Sequence, residues 1–269
     1  MKTKYKGLIL VVIIIVIIAI SIISGFDKDR IDIAGSTSVQ PLAEQLATEY
    51  VGNRDDIQVN VQGGGSGMGI RSVSQGIADI GTSSKELSAE DSVGVETVEL
   101  GKEGIVIGVH NSNTINDLST DQINQIFSGE ITNWKELGGP DEEIHVVTRE
   151  EGSGTRDAFE SIVMGDEDIK SDAIVQSSTE SVKQAVSTDP GAIGYMSFAH
   201  MSDDVKSLTV NNVIVSEETI ADGSYELQRP FLFVINEDNY SQAVHDFVDW
   251  IKSPEGEQII IDAKIVPPN

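Results

Sequence analysis

The chain has 269 residues, with 44 Asp and Glu against 18 Lys and Arg, a formal net charge of −26 and no cysteine. So acidic a protein is unsuited to nucleic acid, whose binding rests on clustered Lys and Arg. Without cysteine, disulfides, thiol nucleophiles, Cys-ligated metal sites and a lipid-anchored N-terminal cysteine are all excluded.

Residues 1–26 read as a signal peptide or N-terminal membrane anchor. Lys2, Lys4 and Lys6 precede an apolar run from Gly7 to Ile23, which is about 17 residues long, the lower edge of what spans a bilayer. A secretory signal has a shorter apolar region and ends at an A-x-A-like site, which is missing here. Lysines before the run and acids after it place the N-terminus inside and the body outside. An extracytoplasmic, membrane-anchored body is therefore expected, or a secreted one if the segment is cleaved. The segment takes three lysines and no acid from the −26 total, so the body alone carries −29.

Along the body, short apolar strands alternate with helical periods, the pattern of an α/β sheet with crossover helices. Ile31 to Ala34 reads as a strand, followed by a helix from Val39 to Tyr50 with Pro41 in its first turn. Ile57, Val59 and Val61 alternate as a second strand. Ile70, Val73 and Ile77 keep a helical period, and Ala78 to Gly81 is a short buried strand. Ile105 to Val109 is another strand, and a helix through Ile126 and Phe127 takes Ser119 or Thr120 as its cap. A strand at Ile144 to Val147 precedes helices at Thr155 to Met164 and Thr179 to Ser187, the latter stopped by Asp189-Pro190-Gly191. Ala192 to Met196 and Phe231 to Ile235 are strands, and Tyr240 to Lys252 is an amphipathic helix. No Pro-rich linker divides the body, and a two-lobed body without one suggests that the chain crosses between lobes more than once.

Three segments share one grammar of strand, small hydroxyl-bearing residues, then helix. They are Gly35-Ser36-Thr37-Ser38, Gly63-Gly64-Gly65-Ser66-Gly67-Met68-Gly69 and Gly152-Ser153-Gly154-Thr155. Such loops suit anions, because glycines let backbone N–H groups approach, helix N-termini aim donors, and hydroxyls add more. Arg149, at a strand's end just before the third loop, can fork onto two oxygens of an oxyanion or pair with Glu150 or Glu151. Asp79, a carboxylate in an apolar strand, either caps the Thr82-Ser83-Ser84 turn or accepts a proton that the ligand brings. Enzyme motifs are missing. Neither Ser66 nor Ser153 sits in G-x-S-x-G, and no dinucleotide or P-loop fingerprint occurs. His110, His145, His200 and His245 lack metal spacing and read as surface or strand-edge residues, while Trp134 and Trp250 read as packing residues.

With these loops in place, the chain resembles the phosphate-binding proteins of phosphate ABC importers. The matching pieces are GSTSVQPLAEQLA (35–47), GGGSGMGIRSVSQGIADIGTSSKEL (63–87), IFSGEITNWKELGG (126–139), TREEGSGTRDAFE (148–160) and DPGAIGYMSF (189–198). The resemblance implies a two-lobed α/β fold of the periplasmic-binding-protein type II class, each lobe a mixed sheet flanked by helices. Lobe 1 is expected over residues 27–110 plus 225–269 and lobe 2 over 111–224. By position, the phosphate ligands fall on Thr37, Ser38, Ser66, Asp79, Arg149, Ser153, Gly154 and Thr155, with Ser36 and Ser84 as secondary candidates. Lys85 departs from the arginine frequent after the Ser-Ser pair. The implied function is extracytoplasmic, high-affinity phosphate binding and delivery to the permease subunits of an ABC importer. No catalysis, cofactor, metal or nucleic acid is expected, and the body is expected to be a monomer. The alternatives are a receptor for sulfate, molybdate or tungstate, and a phosphohydrolase.

Overall fold

The computed structural model describes residues 28–236 and 241–268. The expected N-terminal anchor, and Tyr240 at the start of the last amphipathic helix, lie outside the described residues.

One sheet organises the chain, in the strand order β2-β1-β3-β11-β4-β8-β6-β7. Its first half contains β1 (Asp29–Gly35), β2 (Ile57–Gly63) and β3 (Ile80–Ser83), all parallel, with β11 (Gln228–Asn236) antiparallel to β3. Its second half contains β8 (Ala192–Ser197), parallel to β6 (His145–Arg149), which is parallel to β7 (Ile174–Gln176). The strand that joins the halves is β4 (Val95–Val109), which pairs with β11 up to Gly104 and with β8 from Ile105 onward. Shorter pieces complete the set: β9 (Lys206–Ser207) adds to β4, and β5 (Asp117–Leu118) pairs with β10 (Thr209–Val210).

The burial pattern of β4 records this change of role. Its first part keeps exposed positions, whereas Ile105 to Val109 are buried on both faces. A register shift between Phe231 and Leu232 leaves an extra residue on β4 near Gly101. Such a bulge bends and twists a strand, and it falls where the chain passes between lobes. Gly101 has φ +149°, and a Cβ there would collide with the Val266 carbonyl, so only glycine fits this crossing.

Among the described residues, two large hydrophobic cores follow from the two half-sheets, with a small third cluster of Ile70, Val73, Val95 and Val234. One draws on Ile31 to Leu100 and Phe231 to Ile265, the other on Ile105 to Leu227. The two cores therefore change over between Leu100 and Ile105, and again between Leu227 and Phe231. The reason is that crossing strands serve both cores, so the change falls inside a strand instead of at a loop.

Helices α1 (Gln40–Val51) and α2 (Ser66–Ser74) cover the first lobe, together with α7 (Gln242–Ile251) and α8 (Pro254–Asp262), while α6 (Glu217–Ala221) lies against β4. The second lobe carries α3 (Thr120–Ser128), α4 (Gly154–Phe159) and α5 (Thr179–Thr188). Ser119 is the cap of α3, in a capping box with Gln122, and Asp189 ends α5 as the sequence implies. Two expectations change. Gly76, at φ +66°, follows the end of α2, so Ile77 stays 70% exposed instead of joining a helical face. The helix from Thr155 to Met164 is α-helical only through Phe159 and continues as a π turn over Glu160–Met164.

Candidate functional site

Strands β1, β2 and β3 run parallel, so their carboxyl ends share one edge of the first lobe. The carboxyl ends of β6 and β7 meet them from the second lobe. In open α/β sheets this is where ligands bind, outside the carboxyl ends of the strands. All three glycine–hydroxyl loops lie there, each between a strand and a helix.

The loops are knit together by hydroxyls. Ser36 Oγ donates to Ser84 Oγ at 2.9 Å, and the Ser84 N–H donates to Ser66 Oγ at 3.1 Å. Across the lobes, Ser38 Oγ is 2.9 Å from both Thr155 Oγ1 and Thr179 Oγ1. Thr37 Oγ1 accepts from the Thr179 N–H at 3.4 Å, and the Gly67 N–H donates to the Gly152 carbonyl at 3.1 Å. Ser36, Ser38, Ser66, Ser84, Ser153 and Thr155 are each at most 3% exposed. Buried hydroxyls are costly unless bonded, and a hydroxyl can both donate and accept. This set forms a cradle that can present either role to a ligand. Ser153 caps α4, its hydroxyl accepting from the Arg156 N–H at 3.4 Å. Gly154 packs directly against Ser66 and Ser84 of the opposite lobe.

Arg149 closes the cradle at the end of β6, with its side chain 2% exposed. Nε and Nη2 donate to the two Glu150 oxygens at 2.8 Å each, and Nη1 donates to Thr179 Oγ1 at 3.3 Å. The two sequence readings of Arg149 thus coexist: the residue pairs with Glu150, yet it is buried and reaches the cradle. Tyr195 fixes the strand end, its hydroxyl accepting from the Arg149 N–H at 3.2 Å and lying 2.7 Å from Thr148 Oγ1. Burial pushes the Tyr195 phenol up to about 12, so it stays neutral.

Asp79 is not part of this cluster. Its Oδ2 accepts from the Asp32 N–H at 2.8 Å, beside the amino end of β3. The Ser84 corner lies five residues farther on, roughly 16 Å at ~3.3 Å per residue. The physical reason is the start of β3: pairing with β1 begins at Ile33, and the Asp79 carboxylate serves Asp32 where no strand carbonyl is placed to do so. Nor does it cap the Thr82–Ser84 turn. Asp79→Asn should therefore cost about 1 kcal/mol of stability and leave the preference between phosphate and sulfate as it was. Thermal melts and paired titrations would check this; a changed preference would return Asp79 to the site.

Four residues of the cleft were not singled out from sequence as part of the site. Thr179, 1% exposed, opens α5 behind the hydroxyl run Ser177-Ser178, the same grammar as the other loops but without glycine. His200 is no surface residue: its side chain is 10% exposed and Nε2 lies 3.3 Å from the Ser38 carbonyl. Burial pushes its imidazole down, toward the neutral form. Glu103 and Arg229, facing each other across β4 and β11, form a fully buried pair at 3.1 Å. Glu103 Oε1 also accepts from Ser197 Oγ at 2.5 Å and from the Ala199 N–H at 3.3 Å. Arg229 Nη1 donates to the Ser84 carbonyl at 3.4 Å. Burial above all holds the Arg229 guanidinium below its ordinary value, and the charge of Arg149 adds to it, in spite of Glu103. Lys85, the residue that departs from the family pattern, reaches across the lobes to Asp157 at 2.6 Å.

The sequence profile of the PBP superfamily domain matches residues 23–255. The chain is 31% identical over 244 residues to the phosphate-binding protein PstS of Bacillus subtilis, covering 88% of this chain and 80% of that one. A crystal structure of a substrate-binding protein with bound phosphate from Clostridium perfringens superposes with TM-score 0.87 at 36% identity. It covers 90% of this chain and 100% of its own. An ABC-type phosphate transport receptor from Vibrio cholerae gives 0.74 at 34% identity, covering 88% and 100%. On the family match and on this kinship over most of its length, the chain belongs to the PBP superfamily and, within it, to the family of the phosphate-binding proteins.

Proposed function

We propose that this chain binds inorganic phosphate between its two lobes, outside the cytoplasm, and passes it unchanged to the permease subunits of an ABC importer. The observation that carries this reading is the buried hydroxyl cradle drawn from both lobes beside Arg149. Its proposed ligands are Thr37, Ser38, Ser66, Arg149, Ser153, Gly154 and Thr155, joined by Ser36, Ser84 and Thr179. Kinship supports the choice of anion, since relatives that cover most of this chain carry phosphate in their names or in their crystals. Binding follows from oriented neutral dipoles. In a dry, closed cleft, N–H and O–H groups attract an anion far more strongly than in water. The −29 of the body opposes approach, but salt screens charges beyond about 8–10 Å, so the local donors prevail.

The proton of hydrogen phosphate finds acceptors among the hydroxyls themselves, which sulfate cannot use. The body acts as a monomer held at the membrane by residues 1–26. Calorimetric titration of the full-length chain in mild detergent with phosphate, sulfate and molybdate tests the reading. Phosphate should bind one to one and more tightly than either other anion, with no release of phosphate from esters. Tighter binding of sulfate or molybdate would favour the other oxyanion receptor, and ester hydrolysis would make the protein an enzyme.

A further inference from the structure

Arg229 has a property that its partner Glu103 does not explain. The residue is 3% exposed, and its three guanidinium nitrogens have unequal surroundings. Nε donates to Glu103 Oε2 at 3.1 Å, Nη1 donates to the Ser84 carbonyl at 3.4 Å, and Nη2 is buried without a hydrogen-bond partner. A buried donor left unpaired is unfavourable, more so on a charged group. A salt bridge kept only for packing gains nothing from such a donor, because apolar residues of similar volume do as well or better in a core.

The direction of the pair matters as much as its burial. Glu103 lies on the side of Ser197 and Ala199, to which it is hydrogen-bonded. Arg229 lies on the side of Ser84, whose N–H and Oγ bond to Ser66 and Ser36 in the cradle. The ion pair is thus a fixed dipole with its positive end toward the cradle. Arg149, the cation already assigned there, is largely matched by Glu150. The hydroxyls carry no charge at all.

We propose that Arg229 is a second positive charge of the anion site, acting on the bound anion from behind Ser84, with Glu103 as the counter-charge that moderates it. This rests on the phosphate-binding reading above. The pair sits on the two crossing strands, so its charge stays in place whether the lobes are open or closed. It also holds the Ser84 carbonyl, which makes Arg229 a positioning residue for that corner as well as a source of field.

The two roles separate by the sign of the effect. If the pair only holds structure, removing either partner weakens binding. If Arg229 attracts the anion, removing Glu103 leaves its charge unopposed and tightens binding, while removing Arg229 weakens it. The experiment titrates the full-length chain with inorganic phosphate as parent, E103Q, R229K, R229M and the double variant E103Q/R229M, with thermal melts alongside. E103Q should bind about threefold tighter or more, and R229M and the double variant about tenfold weaker or more. R229K should retain more affinity than R229M, because the charge remains. R229M leaves Glu103 buried and alone, which can prevent folding. The double variant leaves neither charge of the pair buried alone, so it decides in that case.

E103Q binding no tighter than the parent, or the double variant binding as the parent does, overturns the proposal. A parent that does not bind phosphate overturns the functional reading and this inference with it. A parent that binds while the variants fail to separate overturns this inference alone.

Discussion

Arg149→Ala should weaken phosphate binding by about 2–5 kcal/mol, the range found when one partner of a buried, hydrogen-bonded charge is truncated. Three losses act in the same direction. The cation itself goes, and so does the donor to Thr179 at 3.3 Å that helps hold the cradle from the second lobe. The Glu150 carboxylate, freed from two bonds of 2.8 Å, then becomes an unpaired negative charge beside an anion. Arg149→Lys should recover only part of the loss, because an ammonium is a point charge without the planar fork. The double variant Arg149→Ala with Glu150→Gln separates the terms: whatever affinity it regains over Arg149→Ala measures the repulsion by Glu150. Calorimetry at fixed pH and salt reads all three. If Arg149→Ala binds phosphate like the parent, the guanidinium serves Glu150 alone and lies outside the site.

The second large effect is expected from the smallest change, Gly154→Ala. Gly154 is the first residue of α4, and its φ is not in the left-handed region, so alanine suits the backbone and favours the helix. The added Cβ, however, would overlap Ser66 Oγ and lie 2.7 Å from Ser84 Oγ and 3.0 Å from Ser66 Cβ. Both serines belong to the other lobe. Turning Ser66 Oγ aside would break its bond from the Ser84 N–H and leave a buried donor unmatched. Because the clash lies across the two lobes, separating them would relieve it. The free protein should melt at the parental temperature or slightly above. Phosphate affinity should fall by about two orders of magnitude, near 2.8 kcal/mol at ~1.4 kcal/mol per tenfold. Small-angle scattering, which should show the parent contracting with phosphate, should show no contraction in the variant. Normal affinity together with normal stability would mean that the loops meet in some other way on the ligand.

Asp79 shows why a site is harder to read than a fold. The apolar run around Ile80 identifies a strand, and a carboxylate within it is an oddity that invites a function. Placing the strand at 78–81 instead of Ile80–Ser83 is a shift of two residues, yet it decides the matter. The cradle lies at the carboxyl ends of the strands, and Asp79 stands at the amino end of its own. Glu103 and Arg229 are charges in apolar strands of the same kind, and there the oddity does bear on the cleft. Their partnership depends on the register of β4 against β11, across 126 positions of sequence.

What is local in this fold is legible from the residues alone. Apolar alternation and helical period placed most elements, and Ser119 and Asp189-Pro190-Gly191 marked helix ends, because these signals act within a few residues. The three loops, too, were recognisable as strand-to-helix junctions of small and hydroxyl-bearing residues, since glycine and serine are needed there for backbone approach and capping. Which of them face each other depends on how distant segments pack. Ser38 meets Thr179 across 141 positions, and Thr179 joined the cradle although no glycine marks its loop. The change of core inside β4 is equally hidden, because a strand buried on both faces reads alike whichever core it serves. Hydrogen bonds and ion pairs between distant segments depend on strand order and register, and no short-range pattern carries that information.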